Sequence, residues 1–152
     1  MVSTRVNNRV KYPDWEIRLA EFINEQQRAD FVIGKNDCLH FANNACKAQT
    51  GEGFMDDILA TYKGGISAIR TYAQCVEDEL YQDVPAELDQ RLIRFDGDYP
   101  PNGAIAMSPK YTEQVVIPVC FGVVCGAYVY FMVNRGLSAH KPSDDMTYWL
   151  VA

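Results

Sequence analysis

The sequence has very few of the residues that bind metals or act as general bases. It contains only two histidines, His40 and His140, and its five cysteines are an odd number without any CxxC pair. Structural zinc sites need four cysteine or histidine ligands at recognisable spacings, and disulfide frameworks need paired cysteines. We therefore expect no cofactor, no metal and no disulfide framework, with most cysteines acting as small buried side chains. The alternative is a metal site whose ligands come partly from a partner chain.

Positive charge and long apolar runs are also scarce. Fourteen Lys+Arg stand against twenty Asp+Glu, for a net charge of −6, which argues against nucleic acid and anionic lipid as partners. The longest apolar stretch, 115–133, is interrupted by proline and glycine, and its β-branched residues are typical of strands rather than of a membrane span. The N-terminus lacks the apolar run of a secretory signal peptide. We therefore expect a chain made in the cytoplasm, without a membrane span.

The first half of the chain predicts helices. Asp14 can cap a helix of about fifteen residues, whose apolar side chains recur every three or four positions. Asp37 can cap a second helix that begins at Cys38 and ends at Thr50-Gly51, because glycine commonly closes a helix. Two further helices are predicted over 56–62 and 66–80.

Turn-forming residues follow Leu80, and short apolar runs come after them. The segment 81–103 contains Pro85, Asp96-Gly97-Asp98 and Pro100-Pro101, which predict a loop-rich connector. Four runs beyond it predict strands: 104–107, 115–125, 127–133 and 146–151. Helices followed by strands favour an α+β fold, with N-terminal helices packed on a C-terminal antiparallel sheet. We predict a basic N-terminal arm over 1–12 and one domain over 13–152.

Charge is unevenly distributed along the chain. Residues 75–98 contain eight acids and two bases, whereas the remaining residues balance at twelve against twelve. One interpretation of the acidic stretch is a solvated surface without a binding role. The other is a surface that docks on a basic partner. We take as candidate docking residues the bases of the arm and the acids of the stretch: Arg5, Arg9, Lys11, Glu77, Asp78 and Glu79.

Cys38 is the one candidate nucleophile in a chemically suitable place. It lies in the first turn of a predicted helix, directly after the cap residue Asp37, and a helix N-terminus favours the thiolate. A nucleophile also needs a base within hydrogen-bonding reach. His40 lies roughly 200° around the helix and points away. His140, in a segment that resembles a loop, is the weak remaining candidate for the base.

These features resemble a known family. Trp15-x-x-Arg18-Leu19, Gly34-x-x-Asp37-Cys38 and Gly122-Val-Val-x-Gly126, with helices before an antiparallel sheet, are similar to the NlpC-like branch of the papain-like cysteine peptidases. The resemblance is closest to small phage proteins related to that branch. It implies a papain-like fold, cleavage of peptidoglycan stem peptides in the active enzymes, and association with the tail hub in the phage proteins.

The resemblance also predicts missing catalytic groups. Aligned on Gly122 and Gly126, the dyad histidine of the family falls at Cys120, and the third polar residue falls near Phe131 or Met132. A thiol cannot replace imidazole as the base at neutral pH, since the ordinary pKa of cysteine is about 8.5 and that of histidine about 6.5.

The sequence supports two main hypotheses of function. The first is a structural protein of the phage tail tip, carried in the virion, catalytically degenerate and bound to other tail-tip or hub proteins. The second is an active peptidoglycan-cleaving cysteine endopeptidase that works during cell-wall penetration, with Cys38 as nucleophile and His140 as an irregular base. A function unrelated to the family, such as a small binding module, is the remaining alternative.

Overall fold

The computed structural model describes residues 8–32, 36–60, 84–109, 120–132 and 136–152. These residues form an α+β fold in which a six-stranded antiparallel sheet follows the first helices, so the predicted fold class is confirmed. The helices are α1 (Trp15–Gln26), α2 (Cys38–Thr50), α3 (Asp56–Leu59) and α4 (Val84–Asp89). The strands are β1 (Ile93–Phe95), β2 (Ile105–Ser108), β3 (Cys120–Cys125), β4 (Tyr128–Met132), β5 (Leu137–His140) and β6 (Thr147–Leu150).

The sheet has the strand order β1-β6-β2-β3-β4-β5. The strands β2 to β5 follow one another as neighbours, while β6 inserts between β1 and β2. Gly126, with φ 64°, lies in the tight turn that joins β3 to β4. This left-handed conformation is favourable only for glycine and a few polar residues. The order places β3 near the middle of the sheet, where α2 packs on it.

Helix α2 has the limits that the sequence predicts. The Asp37 side chain accepts a hydrogen bond from the His40 backbone N–H at 2.9 Å, which satisfies one of the free donors of the first turn. Gly51 closes the helix with φ 85°, and its N–H donates to the Lys47 carbonyl at 2.8 Å. Asp14 precedes α1 but its side chain makes no cap bond; it accepts from Arg18 Nε instead.

The connector prediction was wrong in part, and two strands were missed, β1 and β5. Residues 84–103 include helix α4 and strand β1, and His140 ends strand β5 rather than lying in a loop. Pro85 is compatible with α4 because it occupies the first turn, where its missing N–H breaks no helical bond. The predicted helix over 66–80 lies outside the described residues.

Arg9 corrects the prediction of a free basic arm. Its side chain is only 5% exposed, and it donates from Nε to the Val151 carbonyl at 2.9 Å and from Nη2 to the Arg91 carbonyl. A guanidinium held by two main-chain carbonyls is not free to dock on a partner. Lys11 lies over the Trp15 ring, with Nζ 3.6 Å from the ring centroid, and Arg5 lies outside the described residues.

Candidate functional site

The candidate site lies where the N-terminus of α2 meets the start of β3. Cys38 opens α2 and Cys120 opens β3, the strand on which α2 packs, and the Cys120 thiol is among the groups that raise the pKa of Cys38. Cys38 is 0% exposed and Cys120 1% exposed. The position that the resemblance assigns to the missing histidine is therefore next to Cys38, but it carries a thiol and no imidazole.

The surroundings of Cys38 disfavour its thiolate. The hydrogen bond with Cys120 and complete burial raise the pKa of the Cys38 thiol well above its usual range, and the Asp37 carboxylate adds to the rise. The backbone of Phe121 acts in the opposite direction but does not offset them. Since the thiolate and not the thiol is the nucleophile, Cys38 is kept in its unreactive form at neutral pH.

His140 is not placed to serve Cys38, which corrects its prediction as an irregular base. The strand register pairs His140 with Val129, and Val129 with Val124 of β3. His140 is therefore level with a residue four positions beyond Cys120 and two strands away. At about 3.4 Å per residue and about 4.8 Å per strand, roughly 17 Å separate the Cys120 and His140 backbones. The His140 ring instead contacts Phe131, and its Nε2 lies 2.6 Å from Ser138 Oγ.

His40 belongs to the helix cap. Its Nδ1 lies 2.9 Å from Asp37 Oδ1, the same oxygen that accepts the His40 backbone N–H. The Asp37 side chain is completely buried and the His40 side chain 15% exposed. Asp37 thus holds both the first turn of α2 and the neighbouring imidazole. Because the chain has only these two histidines, it supplies no third imidazole for Cys38.

The position that the resemblance assigns to the third catalytic residue is apolar. Phe131 and Met132 are buried on β4, and Phe131 pairs with Gly122 of β3 on one side and Ser138 of β5 on the other. Directly opposed residues share one face of an antiparallel sheet. A phenyl ring therefore occupies the space beside Gly122, and it has no group that could orient an imidazole.

A buried arginine cluster is absent from the sequence-based predictions. Arg91 donates to both carboxylate oxygens of Asp57 at 2.7 and 3.0 Å, to Glu87 at 2.8 Å and to the Phe54 carbonyl at 3.0 Å. Its own carbonyl accepts from Arg9. Glu87 and Arg91 have the i, i+4 spacing of a helical ion pair, and this spacing is the feature of the sequence that could have indicated the cluster. The cluster fastens α3, α4 and the N-terminal segment together.

An acidic groove of about 440 Å³ lies between the β1–β2 connection and the β5–β6 connection. Asp96, Asp98 and Asp144 line it together with Tyr99, which is 87% exposed. The acidic stretch 75–98 predicts part of this surface but not Asp144, which the fold brings to it from a distant loop. The candidate docking residues Glu77, Asp78 and Glu79 lie outside the described residues.

The described segments contain no group of three or more His, Cys, Asp or Glu side chains arranged to hold a metal ion. Nor does any helix among them have the length and apolarity needed to cross a bilayer. Comparison with curated proteins and comparison with solved structures each give no significant match. One family model, described as a domain of unknown function (DUF6950), matches residues 10–151. The match covers nearly the whole chain, which therefore belongs to the DUF6950 family.

Proposed function

We propose that the protein is a structural component of a phage tail tip, with an NlpC-like, papain-like fold that has lost its hydrolytic chemistry. The observation that carries the proposal is the state of Cys38. This residue holds the nucleophile's place at the start of α2, yet it is completely buried, and the Cys120 thiol and that burial raise its pKa. The tail-tip context derives from the resemblance to small phage proteins.

The placement of the two cysteines supports the papain-like part of the proposal. In the resembling peptidases, a helix opened by the nucleophile packs on an antiparallel sheet that carries the histidine. Here α2 opens with Cys38 and packs on β3, and β3 opens with Cys120. The alignment based on Gly122 and Gly126 assigns Cys120 to the histidine's place independently of the effect of Cys120 on the pKa of Cys38.

Loss of hydrolysis follows from the chemistry of this pair. Attack on a peptide carbonyl requires a thiolate, and a positioned base must accept the thiol proton and later pass it to the leaving amine. Cys120 carries a thiol in place of an imidazole, and it raises the pKa of Cys38. His140 is too far along the sheet to replace it.

A structural role needs surfaces that bind neighbouring subunits, and the acidic groove is suited to a subunit with a basic surface. Asp96, Asp98 and Asp144 place several negative charges around a concave surface, and Tyr99 adds an exposed aromatic ring of the type enriched at interfaces. Arg94 also lines the groove, where it pairs with Asp89, so the groove has a net negative charge that steers the encounter with a basic partner.

The hydrolytic alternative is tested by incubating the purified full chain with peptidoglycan and separating the released muropeptides. We expect no release above that of Cys38→Ser, with an active NlpC-like peptidase as the positive control. Release that is lost in both Cys38→Ser and His140→Ala would establish the endopeptidase and overturn the proposal.

The structural role is tested by co-purification with the tail-tip and hub proteins encoded beside this chain. We expect the wild type to co-purify and the double variant Asp96→Lys/Asp98→Lys to be reduced at least about tenfold, because the reversal repels a basic partner. Glu21→Lys/Glu25→Lys on the exposed side of α1 makes the same change in net charge and serves as the matched control. A chain that stays monomeric and binds none of these proteins contradicts the proposal.

A further inference from the structure

Strand β5 carries a serine and a histidine whose side chains are in direct contact. Ser138 Oγ and His140 Nε2 lie 2.6 Å apart, which is a short hydrogen bond between the two side chains. Both residues are half-buried, so part of each is accessible from solvent, whereas Cys38 is completely buried. A hydroxyl within hydrogen-bonding reach of an imidazole is the arrangement of a nucleophile and its base.

The fold places this pair at one edge of the sheet. Ser138 and His140 are two positions apart on a strand, so their side chains point to the same side. The register pairs Ser138 with Phe131 and His140 with Val129, both buried on β4, and directly opposed residues share a face. Because β5 is the last strand of the described sheet, the pair lies where this buried face reaches the edge.

Two contacts orient the imidazole. The His140 ring centroid lies 5.9 Å from that of Phe131, with 59° between the ring planes, and Nε2 is held by the hydrogen bond with Ser138. In the tautomer that carries the proton on Nδ1, Nε2 accepts this bond and the Ser138 hydroxyl donates it. A base that already faces the hydroxyl needs little rearrangement to take its proton.

We propose that Ser138 is a nucleophilic serine that accepts an acyl group from a small activated ester or thioester, with His140 as its general base. Ser138 Oγ attacks the carbonyl carbon while the hydroxyl proton passes to His140 Nε2. The bond from the carbonyl carbon to the leaving oxygen or sulfur then breaks, and His140 gives the proton to the leaving alcohol or thiol. One acyl group remains on Ser138 as an ester, one alcohol or thiol is released, and no atom changes its oxidation state.

The chemistry of the pair limits the class of acyl donor. Cleavage of a peptide amide also requires stabilisation of the oxyanion and protonation of a poor leaving amine. A thioester or an aryl ester has a better leaving group, so a positioned nucleophile and its base suit it. This acyl transfer to the chain itself is separate from peptidoglycan cleavage at Cys38, and it does not rest on the proposed tail-tip role.

The experiment incubates the full chain with p-nitrophenyl acetate, follows the release of nitrophenolate, and maps the acetylated peptides by mass spectrometry. We expect one acetyl group, on Ser138, at early times. Ser138→Ala should abolish this acetylation, and His140→Gln should slow it at least about 100-fold, because it removes the general base. Ser143→Ala is the matched control: Ser143 is exposed but donates its hydroxyl to Asp145 instead of a histidine, so this variant should react like wild type.

The position of the acetyl group decides the outcome. Acetylation of Ser143 as fast as of Ser138, of the exposed Lys141 while Ser138 stays unmodified, or of Ser138 at an unchanged rate in His140→Gln would each overturn the proposal. Wild type unfolded in urea is a control that needs no variant, because its Ser138 should react no faster than its Ser143. The measurement involves neither tail-tip proteins nor peptidoglycan, so its failure is distinguishable from failure of the proposed function.

Discussion

Two buried regions of the molecule treat polar groups in opposite ways. Around Cys38 and Cys120, the thiol pair, the chain buries two thiols, and the Cys120 thiol and complete burial raise the pKa of Cys38. Around Arg9 and Arg91, the arginine cluster, the chain buries full charges and supplies each with several acceptors. The arginine cluster is thus built from a residue type that usually lies on the protein surface.

The difference indicates where the fold depends on polar interactions. A buried charge is tolerated only with partners, and removing one partner leaves the others unsatisfied. A neutral thiol in an apolar contact has no such requirement and behaves like a small hydrophobic side chain. The thiol pair is therefore the region where a substitution should cost little stability, and the arginine cluster is the region where a substitution should cost much.

The largest effect is expected from Arg91→Met. The substitution leaves the Phe54 carbonyl and the carboxylates of Asp57 and Glu87 without their donor, and we expect the free energy of unfolding to fall by about 3 kcal/mol. Urea denaturation measures it. Arg94→Met is the matched control: its ion pair with Asp89 is partly exposed, so a loss of about 0.5–1 kcal/mol is expected. Equal losses in the two variants would remove the distinction between the regions.

A smaller effect, visible only at alkaline pH, is expected from Cys46. Burial, opposed in part by Arg9, raises the pKa of this thiol from 9.0 to about 11. The unfolded chain loses the proton first as the pH rises, so the stability contributed by the neutral thiol is complete below pH 9 and is lost toward pH 11. The loss should approach about 2 kcal/mol over this range.

Comparison with Cys46→Ala isolates the thiol, because tyrosines and lysines titrate equally in both proteins. The difference in unfolding free energy between wild type and variant should shrink as the pH rises from 9 to about 11. A difference that stays constant with pH would mean that the folded-state thiol ionises as easily as the unfolded one.

The smallest effect is expected from Cys38→Ala. Removing one buried sulfur leaves a small cavity and should cost about 1 kcal/mol. Cys125→Ala, at a partly exposed position of β3, should stay within about 0.5 kcal/mol of wild type. Both are read from denaturation midpoints under reducing conditions. A Cys38→Ala variant more stable than wild type, as happens when a strained active-site residue is replaced, would mean that Cys38 does not behave as an ordinary core side chain.

The sequence predicted most where local chemistry decides the structure. The limits of α2 follow from the cap at Asp37 and the left-handed glycine at Gly51, and the apolar runs located β2, β3, β4 and β6 closely. Strands of three and four residues, such as β1 and β5, are too short for an alternating pattern to stand out. Helix α4 was missed because proline, as at Pro85, is typical both of turns and of the first turn of a helix.

The candidate site was predictable only in part. The resemblance aligned the missing histidine with Cys120, but nothing local indicates that Cys38 is fully buried. Arg9 gives no local signal at all, because its acceptors lie 82 and 142 residues away. Partners at such separations are set by the folded topology, so a basic residue near a terminus looks the same whether it is anchored or free.

The contact between Arg9 and Val151 also determines how the protein would respond to mechanical tension. Strand β6, which leads to Val151, lies between β1 and β2 and is held by hydrogen bonds along both sides. Residues 8–14, the described part of the segment before α1, are held by the Arg9 side chain and by main-chain bonds such as that from the Tyr12 N–H to the Gln49 carbonyl. Force applied between the two ends would therefore detach the N-terminal segment first. The hydrogen bonds of the sheet would come under tension only after the Arg9 side chain had lost its bonds to the Val151 and Arg91 carbonyls.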